Sequence, residues 1–120
     1  MQKENIVKVK SYNFALNVIH VYKELHRDNE FVLSKQLVRS ATSVGANIEE
    51  GLHGQSKADF IHKFSIAQKE SHEAMYWLRL LTDSKYLKPE LTKPLMTECI
   101  ELQKIISSIL VTTKKTIPKS

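Results

Sequence analysis

Cysteine, glycine and proline are scarce in this chain of 120 residues, numbering one, three and three. A single thiol, Cys99, cannot form an internal disulfide, and its solitude fits a reducing compartment. So few turn-formers argue against a turn-dense β-barrel, and the composition excludes collagen-like, disulfide-scaffold and disordered classes. Long hydrophobic runs are missing too. The longest, Ala74 to Leu78, falls far short of the ~20 residues that span a bilayer. No N-terminal apolar stretch is long enough for a secretion signal, so the expected location is cytoplasmic, with no membrane partner. No linker, low-complexity tract or internal repeat divides the chain.

What remains is 42% apolar and 26% charged residues, enough for one core and one domain spanning residues 1–120. Four segments carry apolar residues at alternating steps of four and three, the mark of a helix with one buried stripe. The first runs from about Ser11 to Arg27 on Phe14, Val18, Val21 and Leu25. The second runs from about Ser34 to Glu50 on Leu37, Ala41, Val44 and Ile48. Ser34 is the expected N-cap, with Leu33 and Val38 as a hydrophobic staple, and Gly51 is the expected stop. The third, from about Ser56 to Asp83, opens with the capping box Ser56-Lys-Ala-Asp59. The fourth starts between Pro89 and Pro94 and reaches about Lys115 on Leu95, Cys99, Leu102, Ile106 and Ile109. Pro94 removes one hydrogen bond, so a distorted or delayed start is expected there. Stripes of this period with short connections predict an all-α fold, an antiparallel up-down-up-down four-helix bundle. The later two helices are expected to project beyond the earlier two.

The third segment also bears apolar residues off its stripe: Ile66, Tyr76, Trp77 and Leu80. A helix apolar all round is buried all round, which a lone small bundle cannot do for its outer wall. These four residues are therefore candidates for an interface between copies of the chain.

Catalytic chemistry finds little support. Bundles hold di-metal centres through Glu-x-x-His pairs. The approximate matches here, Glu50 to His53 and Asp59 to His62, fail: Gly51 interrupts one, and His62 points away from the core in the other. No metal, cofactor or catalytic residue is assigned. Cys99 sits on an apolar stripe, where an inert buried thiol is expected. A helix-turn-helix is excluded because only five residues separate Gly45 from Gly51. The polar stripe Arg39, Ser43, Asn47 and Glu50 is read either as a solvated face or as a binding face. Glu49 and Glu50 near a helix C-terminus oppose the helix dipole, so a cation is expected to offset them.

The run Arg39-Ser-Ala-Thr-Ser-Val-Gly-Ala-Asn-Ile-Glu-Glu-Gly51, followed by Ser56 to Ala67 and Glu73 to Leu78, resembles a bacterial family. This is the four-helix-bundle family of 23S ribosomal RNA intervening-sequence proteins, also labelled S23 ribosomal proteins. The accessory variability proteins of diversity-generating retroelements are related to it. The pattern falls on Arg39, Ala41, Ser43, Val44, Asn47, Ile48, Glu50 and Gly51. Val38 stands where many members have a basic residue, and Gly45 where many have proline. The resemblance implies a ring-like homopentamer without enzymatic activity that binds nucleic acid or a reverse transcriptase.

The net charge is +5. Residues 1–11 carry a net +2 and residues 112–120 a net +3, and both belong to one end of the expected bundle. Lys3, Lys8, Lys10, Lys57, Lys114, Lys115 and Lys119 are accordingly the candidates for contact with an RNA or DNA backbone, mostly on short basic tails. The competing expectation is a protein–protein adaptor, such as a reverse-transcriptase accessory subunit.

Overall fold

The structure, a computed structural model, describes residues 2–115. Four helices account for nearly all of them: α1 (Gln2–Arg27), α2 (Val32–Leu52), α3 (Lys57–Asp83) and α4 (Pro89–Lys115). Each packs against two neighbours, around the square α1–α2–α3–α4, and among the described residues the diagonal pairs make no close backbone approach. The four-helix bundle expected from the stripes is what forms, and no strand occurs among the described residues. It measures 54 Å by 21 Å by 20 Å, a rod of square section. The predicted stripes are its core: Phe14, Val18, Leu25, Leu37, Val44, Ile48, Phe64, Leu78, Leu81 and Ile106 are all fully excluded from solvent.

The boundaries differ from expectation at the start of α1 and at both ends of α2, which runs from Val32 through Gly51 to Leu52, whereas the start of α4 falls within the expected range. Helix α1 begins at Gln2 rather than near Ser11, so the lysines expected on an N-terminal tail are helical. The reason is that Val7 and Ser11, both buried, extend the stripe of Phe14 by two further steps. With 26 residues, α1 matches α3 and α4 in length, and only α2, with 21, is short. Helix α4 starts at Pro89 and simply includes Pro94. That proline forfeits one bond to the Glu90 carbonyl, on an exposed side of the helix.

The start of α2 departs most instructively. Ser34 is not the N-cap, because the helix already begins at Val32 and the Ser34 hydroxyl donates back to the Glu30 carbonyl at 2.9 Å. Capping falls instead to the Glu30 carboxylate. It accepts from the amides of Val32, Leu33 and Ser34 at 3.1, 3.1 and 2.6 Å. These are amides that a helix start otherwise leaves without partners. Burial raises the Glu30 pKa, but the three amides and the Ser34 side chain outweigh burial and hold it below the ordinary carboxylate value. Ser56 does cap α3 as expected, accepting from the Asp59 amide at 3.0 Å.

Two turns end in the same motif. The Glu30 amide donates to Leu25 O and the Asn29 amide to His26 O; after α3, the Tyr86 amide donates to Leu81 O and the Lys85 amide to Thr82 O. This double closure places Asn29 and Lys85 at φ of 62° and 68°, in the left-handed region that glycine fills most readily. Lys85 bears a Cβ there without the local hydrogen bonding that eases asparagine. Lys85→Gly is therefore expected to stabilise the bundle by about 0.5–1 kcal/mol, read as a higher urea midpoint at unchanged slope.

Candidate functional site

The sequence pattern that stands out most, Arg39 to Gly51, lies along the seam between α2 and α3, the most extensive helix pair of the bundle. Its polar members are not an open face. Arg39 Nη2 pairs with Glu73 Oε1, and Arg39 Nη1 lies 3.5 Å from Glu70 Oε2. The Trp77 indole donates to the same Glu73 oxygen at 3.3 Å. Lys63 pairs with Glu50 at 3.0 Å, supplying the cation that the acidic end of α2 called for. Asn47 turns back to the Ser43 carbonyl at 2.8 Å. Ser43 is half-buried, and Gly51 is a buried helical residue rather than the helix stop.

The two carboxyls beside Arg39 behave differently. Glu70 Oε1 is buried and accepts no hydrogen bond. Burial and the neighbouring Glu73 push the Glu70 pKa up, whereas Arg39, Trp77 and Glu70 hold Glu73 below its ordinary value despite burial. The pair therefore retains a proton on Glu70 more readily than either acid would alone. This is the chemistry of a helix clamp, with one cation shared between two acids across a seam.

The candidate lysines divide. Lys3 donates to Ser108 Oγ at 2.7 Å, Lys10 pairs with Glu101 at 2.8 Å, and Asn17 donates to Glu98 at 3.0 Å. At seven-residue steps along α1, these three close the seam with α4, so Lys3 and Lys10 are tied within the bundle. Lys8 is exposed beside Asn5, Val9, Tyr12 and Glu49, along an open groove of about 490 Å³. Lys57, Lys114 and Lys115 are exposed where α3 begins and α4 ends. Lys119 lies outside the described residues.

The candidate interface residues divide as well. Tyr76 is 52% exposed, but Trp77 packs against the core of the bundle. Ile66 and Leu80 are half-buried on the flank that carries Glu70 and Glu73. Sequence reasoning overlooked a second apolar stripe on α1, where Val9, Tyr12 and Leu16 are 59%, 59% and 41% exposed. Their three-and-four spacing continues to Ile19 and was the available signal. Between this stripe and Thr42, Gly45 and Ala46 of α2 lies a groove of about 290 Å³. Cys99 is buried, its thiol donating to the Ser71 carbonyl at 3.1 Å. Burial pushes its pKa up to about 12, which makes it inert. Among the described residues, no three His, Cys, Asp or Glu side chains gather to hold a metal ion. None of the helices there is long and apolar enough to cross a membrane.

Residues 3–108 match the model of the 23S rRNA-intervening sequence protein family. The chain belongs to that family. A solved structure from Bacteroides thetaiotaomicron, described as a protein of unknown function from the S23 ribosomal protein family, is similar throughout. It is 44% identical, superposes with a TM-score of 0.88, and the match covers 91% of this chain and 98% of that one. No curated protein matches the chain. The family pattern thus has a physical meaning in this member of the 23S rRNA-intervening sequence proteins. Ala41, Val44 and Ile48 fill the core, while Arg39, Glu50 and Gly51 fasten α2 to α3.

Proposed function

We propose that this intervening-sequence family protein is a non-enzymatic, self-associating bundle that holds structured RNA through its phosphate backbone, without reading sequence. The observation that carries this reading is the surplus of cations left outward once the internal pairs are made. Lys8, Lys114 and Lys115 are exposed toward the end of the rod where α1 begins and α4 terminates. Self-association, as the homopentamer the family resemblance implies, multiplies that surplus into a ring. The exposed α1 stripe supplies apolar surface for it.

Filter binding to a folded RNA at low salt tests the binding. Retention is expected at about 50 mM salt and release at a few hundred millimolar. No retention, or retention indifferent to salt, contradicts the reading. Light scattering tests assembly: the expected mass is a multiple of 13.8 kDa at micromolar concentration, and a lone 13.8 kDa species contradicts it. The groove between α1 and α2 favours a second reading, a protein–protein adaptor docking a partner such as a reverse transcriptase. Charge reversal at Lys114 and Lys115 separates the two, since an adaptor using the bundle wall is indifferent to it.

A further inference from the structure

The outer wall formed by α3 and α4 has a segregated charge. Its acids are drawn inward or sideways. Glu70 and Glu73 turn to Arg39 of α2, while Glu98 and Glu101 turn to Asn17 and Lys10 of α1. Asp59 lies at the α3 start, close to Gly54; Glu101 stays exposed although paired with Lys10, and Asp83 and Glu90 are exposed near the α3–α4 turn. The cations stay outside. Lys69, Arg79, Lys93 and Lys104 are exposed, and their side chains take part in no hydrogen bond or ion pair among the described residues.

The register of the two helices shows that these cations form a track. Gln68 donates to Ser107 at 2.5 Å, Gln103 to the Ser71 carbonyl at 3.4 Å, and Thr82 to Thr92 at 2.9 Å. Lys104 and the exposed His72 therefore share one level, Lys93 stands at the level of Thr82, and Arg79 lies between them. At ~1.5 Å per residue, the track from Lys104 to Lys93 is roughly 16 Å long. Phosphates recur every few ångströms along each strand of a duplex, so a straight cationic track of that length faces several of them. The wall offers one strongly exposed aromatic ring nearby, Tyr76, and not the row of stacking rings that single strands require.

We infer that the α3–α4 wall, through Arg79, Lys93 and Lys104, is the surface that docks the backbone of duplex RNA, with the lysines at the rod end extending it. This rests on the RNA-binding reading above and locates it on a face that the sequence candidates did not include.

The test is fluorescence anisotropy of the full chain with a labelled RNA hairpin of about 20 base pairs, across a salt series. The wall variant R79E/K93E/K104E is expected to bind roughly 30-fold or more weakly at 50 mM salt. The neutral variants K93Q and K104Q are each expected to reduce the salt slope by about one. All three positions are exposed, and helical circular dichroism checks the fold; the neutral variants report on the wall even if the triple variant unfolds. Binding by the wall variant within twofold of the native chain, with native binding intact, overturns the assignment of the wall and leaves the RNA reading standing. No binding by the native chain overturns both. Equal affinity for a DNA duplex of the same sequence overturns the choice of RNA.

Discussion

Glu30→Ala is expected to destabilise the bundle by about 2–3 kcal/mol at pH 7, lowering Tm by roughly 10 °C. The carboxylate, on a residue only 8% exposed, accepts three amides at the start of α2, and its removal takes that partner from all three. Hydrogen bonds to a charged acceptor are worth more than neutral ones, and a lost N-cap alone costs ~1 kcal/mol. The effect also carries a pH signature. Glu30 has a folded pKa below its ordinary value, so its stabilisation is complete above that ordinary value and is lost as pH falls through the folded pKa. In that window the unfolded chain takes up the proton first. Urea unfolding of both proteins from pH 7 down to pH 3 should show the gap narrowing with acid. A gap constant over that range would mean the carboxylate acts by packing rather than by charge.

The second large effect distinguishes two glycines of the same helix. A Cβ on Gly51 would sit 2.8 and 2.9 Å from Phe64 Cδ1 and Cε1, and 3.1 Å from Lys63 Cβ. Phe64 cannot yield, because it is fully buried and stacked on Phe60 at 4.2 Å between centroids. Gly51→Val is expected to cost about 3 kcal/mol, with Gly51→Ala milder because alanine regains ~1 kcal/mol of helix propensity. At Gly45 the same added carbon meets Ser11 Oγ at 3.4 Å and its backbone at 3.6 Å, ordinary contacts. Gly45→Ala should therefore leave stability unchanged or raise it by up to about 1 kcal/mol. Urea midpoints of the three variants decide the matter. Equal losses at both positions would contradict the close approach of α2 and α3 as the reason for Gly51.

These residues also show what the sequence could and could not disclose. The heptad stripes of all four helices were legible, because burial repeats along one helix and needs no knowledge of its neighbours. The start of α1 was obscured by Lys3, Lys8 and Lys10, whose charges suggested a tail although Val7 and Ser11 kept the period. The Glu30 cap was not legible from residue preferences, since glutamate is not a usual N-cap and here acts from two positions before α2 begins. The motif face was ambiguous for a different reason. Periodicity says that Arg39, Ser43, Asn47 and Glu50 share a side, but only the assembled bundle puts Glu70, Glu73 and Lys63 of α3 against it. The α3–α4 track was hidden likewise. Its cations are scattered in sequence among acids, and the two are separated only when Glu98 and Glu101 turn to α1.

Fastening within the bundle thus consumes the family pattern, and the exposed cations carry the proposed interaction with RNA. The most direct measurement of that claim is the dependence of RNA affinity on salt, by anisotropy with one duplex at constant pH. The account predicts that log K falls linearly with log salt, with a slope of about −0.9 for each phosphate neutralised and several phosphates in all. A slope near zero, or no measurable binding at about 50 mM salt, would contradict it.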